Sequence, residues 1–105
     1  MNQTQTRQSI DGGGWINLDT ATHFKEDTYW NGNNRCSVNT RSQWSHESLY
    51  RSPRGTYVLN HWSSEQGSSE TWTRIDLDAA VEWLVRNDYE PDSPAEAASA
   101  AASEV

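Results

Sequence analysis

The chain has 105 residues, enough for one small domain and not two. Leu, Ile, Val and Phe together supply only 14 of them, so the six Trp and four Tyr must provide much of any buried core. The net charge of -7 argues against simple duplex-DNA binding, where phosphate neutralisation supplies most of the affinity, and no apolar run approaches the roughly 18 residues of a membrane span.

Residues 1–14 are polar and end in Asp-Gly-Gly-Gly, which predicts a flexible leader. The first ten residues contain no apolar stretch of the kind a signal peptide needs. From Trp15 to Phe24 the pattern partly alternates, with Ile16, Leu18 and Thr20 on one side, and predicts a strand. Asn31-Gly32 marks a hairpin turn, with a short strand resuming near Arg35–Val38.

Residues 44–63 predict the best-determined element. Pro53 and Gly55 in "SPRG" suit a three-residue loop between Ser52 and Thr56. That loop sets Arg51 opposite Tyr57, Leu49 opposite Leu59, Glu47 opposite His61 and His46 opposite Trp62. One face then carries Trp44, His46, Tyr50, Val58 and Trp62. The other carries Glu47, Leu49, Arg51, Tyr57, Leu59 and His61. Apolar groups on both faces require cover on both. A helix can supply one cover; an earlier strand, a second subunit or a partner must supply the other.

Residues 63–70 read as a polar loop and 71–75 as a short strand. "DLDAAVEWLVRN" predicts a helix with Asp76 as N-cap and with Leu77, Ala80, Val81 and Leu84 on one face. Asn87 is expected to end it in a left-handed conformation. From Pro91 an Ala- and acid-rich tail begins. Ser93-Pro94-Ala95-Glu96 is a capping box, but so short a helix is marginal alone, which predicts a disordered tail over 91–105. The domain proper is placed at 15–90. The fold class expected is α+β: one antiparallel sheet of three to five strands, with one C-terminal helix packed on it and flexible ends.

Past Leu49, the run "LYRSPRGTYVLNHWS", then "QGSSETW" and "AAVEWLVRN", resembles a family of short bacterial proteins also carried by phages and plasmids. The matching positions include Leu49, Tyr50, Arg51, Gly55, Tyr57, Trp62, Gln66, Gly67, Glu70, Ile75, Trp83, Leu84 and Asn87. "TYWNGNN" (28–34) is similar to the family's upstream part. The resemblance covers about residues 20–90. It implies a compact domain associated with mobile elements, and it implies no activity.

Chemistry-bearing residues are sparse. Cys36 is the only cysteine, which rules out an internal disulfide and suits a reducing cytoplasm. Cys36, His23, His46 and His61 lack metal-site spacing, so neither metal nor cofactor is expected. No nucleophile elbow, phosphate loop or HExxH run is present, and no enzymatic activity is expected.

The charge is uneven. The whole acidic excess lies in residues 75–105, where Asp78, Glu82 and Asp88 are taken as an acidic surface, while arginines cluster around the hairpin. The reading is a cytoplasmic binding or regulatory module acting through protein contacts, with a homodimer as one form. Its contact residues are placed at Arg41, Arg51, Arg54, His61, Gln66, Trp72 and Arg74. Two alternatives stand beside it. One is an acidic inhibitor of a nucleic-acid-processing defence complex. The other is a single-strand binder that stacks bases on aromatics and tracks phosphates with arginine. Within this reading Trp62 lies in the core beneath the helix and Trp72 is exposed.

Overall fold

The computed structural model describes residues 6–65 and 67–104. The strands are β1 (Arg7–Ser9), β2 (Trp15–Asn17), β3 (Thr22–Lys25), β4 (Thr28–Trp30), β5 (Arg35–Ser37), β6 (Ser45–Arg51), β7 (Tyr57–Ser63) and β8 (Thr71–Ile75). The helices are α1 (Leu77–Arg86) and α2 (Pro94–Ser103). The chain is α+β with antiparallel sheets. In place of one sheet and one helix, the described residues form a four-stranded sheet ordered β3-β6-β7-β8, two two-stranded sheets, β1-β2 and β4-β5, and two helices. Neither helix is long and apolar enough to cross a membrane.

The β6–β7 hairpin follows from its turn chemistry. Ser52 N–H donates to Thr56 O at 2.9 Å, Thr56 N–H donates to Ser52 Oγ at 3.0 Å, and Gly55 takes φ 90°. An L side chain at that φ is strained, so glycine sets the closure and hence the register. The pairing is the one the sequence predicts, from Arg51 opposite Tyr57 to His46 opposite Trp62.

The stretch from Trp15 to Phe24 is not one strand. Asn17 turns the chain: its Oδ1 accepts from Asp19 N–H at 2.9 Å and its carbonyl from Ala21 N–H at 3.1 Å. The two halves therefore serve different sheets. Asn31 likewise closes a loop of four residues, accepting from Asn33 and Asn34 N–H at 2.8 Å each. A side-chain turn of this kind replaces the two-residue backbone turn that Asn-Gly suggests.

One face of the large sheet packs on α1. Phe24, Leu49 and Tyr57 meet Ala80, Trp83 and Leu84, with Leu59, Ile75, Leu77 and Tyr89 at the margin. Leu49 is fully buried, which contributes about 2 kcal/mol. Trp83 Nε1–H donates to Glu47 Oε1 at 3.0 Å, so the large indole is both buried and satisfied. Asp76 caps α1, accepting from Ala79 N–H at 2.8 Å. The left-handed residue after the helix is Asp88 (φ 70°) rather than Asn87. Asn87 is instead buried and linked on all sides. Its Oδ1 accepts from Asp27 N–H (2.7 Å) and Asn39 Nδ2 (3.1 Å), and its Nδ2 donates to Trp83 O (2.7 Å) and Asn39 Oδ1 (2.9 Å).

Both segments expected to be unstructured contribute to the fold. Ser93 caps α2 by accepting from Glu96 N–H at 3.1 Å, as its capping box suggests. What holds α2 in place is Glu96, only 1% exposed. It accepts from the Tyr57 hydroxyl, from Arg51 at 2.8 Å and from Asp92 N–H at 3.1 Å. Arg51 also forks onto Asp92 at 2.6 and 3.0 Å, which draws the Asp92 carboxyl below its ordinary pKa. Burial, then the bond to Glu96, pushes the Tyr57 phenol up to about 12. Ser99 Oγ–H donates to Asp78 at 2.7 Å, tying α2 to α1. Asp78 therefore serves the helix pair as well as the acidic surface.

At the other end, residues 6–14 are not a flexible leader. β1 pairs with β2, and the Gly12–Gly14 turn is closed by Gly13 N–H to Ile10 O and Ile10 N–H to Gly14 O, both 3.0 Å. Asp11 imitates a pairing strand: its N–H donates to Trp72 O at 2.8 Å, and its Oδ2 accepts from Trp72 N–H at 2.9 Å. Ile10 and Ile16 are thereby set against Val58 and Trp72 on the sheet's second face.

Candidate functional site: the open half of the second sheet face

The second face is built from cross-strand rows. His23, Tyr50, Val58 and Arg74 form one, and Lys25, Ser48, Asn60 and Trp72 the next. Beyond them His46 stands opposite Trp62. The β1–β2 hairpin covers the end near Val58 and Trp72. The other end stays open as a cleft of about 470 Å³ lined by His23, Ser48, Tyr50, Asn60, Trp62 and Glu70, with Ser63 and Ser68 at its rim. The loop after β7 therefore borders the cleft directly.

The cleft is aromatic with a polar floor. His23 stacks on Tyr50 at 4.5 Å and 10° between rings, Tyr50 leans on Trp72 at 5.4 Å, and His46 on Trp62 at 5.6 Å. Ser48 and Asn60 are buried, and Asn60 Nδ2 donates to Glu70 Oε2 at 2.9 Å and Thr71 O at 3.1 Å. His46 Nδ1 is 2.7 Å from Glu26 Oε2, and Glu26 Oε1 accepts from Glu47 N–H at 2.9 Å, which fixes the imidazole beside Trp62.

Burial, and then the Lys25 ammonium, pushes the His23 pKa below its ordinary value. Burial, and then Glu70, pushes the Tyr50 phenol up. Both rings are thus neutral at pH 7, which suits apolar contact. As pH falls the unfolded chain takes up the His23 proton first. The stability linked to this group is therefore present above about 6.5 and is lost as pH falls through the lower folded value. An NMR pH titration is expected to show the His23 imidazole titrating below about 6.5, and Tyr50→Ala should move it back up. A wild-type value at or above about 6.5 would show that neither burial nor the Lys25 ammonium acts on the ring.

The sequence-predicted contact residues do not form one surface. Trp72, expected to be exposed, is only 8% exposed because the β1–β2 hairpin lies over it. Trp62 does not lie beneath the helix: α1 packs on the opposite face, and Trp62 lines the open cleft, partly exposed. Arg51 is engaged by Asp92 and Glu96. Arg54 and Arg74 line a different cleft beside the Pro53–Gly55 turn. Arg41, over Tyr29 at 5.8 Å, sits just before β6, at the opposite end of that strand from Arg54. Seven residues of β6 span roughly 20 Å, so these arginines trace no single track. His61 lies on the helix side opposite Glu47, and Gln66 lies outside the described residues. Asp78, Glu82 and Asp88 are exposed on and after α1. Among the described residues no cluster of His, Cys, Asp and Glu is placed to hold a metal.

The sequence reading assigns no contact role to His23, Ser48, Asn60 or Glu70. The hairpin register sets Ser48 opposite Asn60; His23 depends on β3 pairing with β6, which no local pattern encodes. No protein-family model, curated protein or solved structure matches the chain.

Proposed function

We propose that the chain is a non-enzymatic binding module acting through protein contact, and that the open half of the second sheet face is its contact surface. The observation that carries this reading is the half-finished cover. The molecule shields Val58 and Trp72 with its own N-terminal hairpin, yet leaves Tyr50, Trp62 and His23 facing a cleft. Partly desolvated Tyr and Trp above a few fixed polar groups are the usual anchors of protein interfaces. The lone cysteine supports action in a reducing cytoplasm. A second copy of this chain on the same face is the form in which the module is a homodimer. The splitting of the arginines weighs against the single-strand reading.

Trp62→Glu places a charge in the cleft, whereas Val85→Glu alters an exposed residue on α1. Affinity capture from the native cell, with light scattering of the purified chain, is expected to lose its partner or its dimer with Trp62→Glu and to keep it with Val85→Glu. Equal behaviour of the two variants at matched thermal stability would refute the assignment.

A further inference from the structure

A second cleft, of about 490 Å³, lies between the Pro53–Gly55 turn and the β1–β2 hairpin, and shares no residue with the open sheet face. Its walls include the exposed indole of Trp15 and the arginines Arg54 and Arg74, over the buried Ile10, Ile16 and Val58. Arg74 is held in place: its Nη2 donates to Gly13 O at 3.2 Å, and the guanidinium lies where a Cβ on Gly14 would stand, 2.2 Å away. A side chain at position 14 would strain the backbone at φ 86° and push the guanidinium aside. Arg54 rides on the turn and makes no hydrogen bond or ion pair with any described residue. In a chain with fifteen acidic residues, the nearby Arg51 is neutralised by two of them and Arg54 by none.

We propose that this cleft binds an acidic segment of a partner protein in which an Asp or Glu adjoins an aliphatic residue. Arg54 and Arg74 take the carboxylate, and the exposed Trp15 indole takes the neighbouring side chain. Charge complementarity selects the anion, and the indole face selects the apolar neighbour. A nucleic acid fits the site less well. One face of Trp15 already carries the Arg7 guanidinium at 4.9 Å, which leaves less of the ring for base stacking.

The test is an NMR titration of the full chain at low salt with three probes: a peptide alternating Glu and Leu, the same peptide with Gln for Glu, and oligothymidylate. The Trp15 indole and the Arg54 and Arg74 Nε–H signals should move with the Glu peptide and not with the Gln peptide. Arg54→Ala with Arg74→Ala should weaken that binding about tenfold or more, and Arg41→Ala should leave it unchanged. Arg54→Ala alone, on an exposed turn, keeps the test valid if the double variant folds poorly. No shift with the Glu peptide, equal shifts with the Gln peptide, or tighter binding of oligothymidylate at the same signals would each overturn the proposal. Because the probes are synthetic, the outcome is independent of whether the open sheet face binds a partner.

Discussion

Arg51→Met destabilises the chain by about 3–5 kcal/mol, read as a lower urea midpoint at unchanged slope. The size comes from Glu96 rather than from Arg51 itself. The Glu96 carboxylate is 1% exposed, and Arg51 supplies the cation bonded to it. Removing that cation leaves a buried charge with two neutral donors, the Tyr57 hydroxyl and Asp92 N–H. Asp92, half exposed, loses its fork as well but gains water in exchange. A double variant separates the terms. Arg51→Met with Glu96→Gln should cost less than the sum of the two single variants, because the uncompensated charge is gone. Additive costs would show that Glu96 is not held as the geometry shows. The same pair reports on α2: with Arg51→Met the amides of residues 94–103 should exchange faster than those of α1.

Asn87→Asp is expected to cost about 3 kcal/mol at neutral pH, although it changes one atom type. The amide nitrogen donates to Trp83 O and Asn39 Oδ1; a carboxylate oxygen there faces two acceptors. The oxygen side, which accepts from Asp27 N–H and Asn39 Nδ2, is kept. The penalty should shrink as pH falls and the introduced acid protonates, because a protonated acid can donate one of the two lost bonds. Thermal unfolding of both proteins across the acidic range checks this. A difference that stays constant with pH would place the damage elsewhere.

Local chemistry made the middle of the fold legible. Pro53, Gly55 and the alternation around them yield the β6–β7 register residue for residue, and Asp76 with the apolar spacing after it yields α1. What escaped depends on contacts distant in sequence. Residues 6–14 look like a leader because Asp11 substitutes a side chain for a pairing strand, and its partner, Trp72, is 61 residues away. The last helix looks marginal because nothing near Glu96 announces that Tyr57 and Arg51 will bury it, 39 and 45 residues back. The candidate site was legible in principle and not in place. Two apolar hairpin faces required two covers: α1 takes the face away from both tryptophans, and the β1–β2 hairpin covers only the Trp72 end of the other, so Trp62 and Trp72 exchange the roles expected of them. The arginines are close in sequence, whereas the fold sends Arg51 into an ion pair and sets Arg41 and Arg54 at opposite ends of β6.

On the proposed reading the chain finishes one half of its second sheet face itself and leaves the other to a protein. A photo-crosslinking amino acid at position 62 in the native cell, with position 85 on α1 as the control, tests this most directly. A discrete protein adduct at 62, absent at 85, is the expected result. No adduct at 62, or the same adduct at both positions, would contradict it.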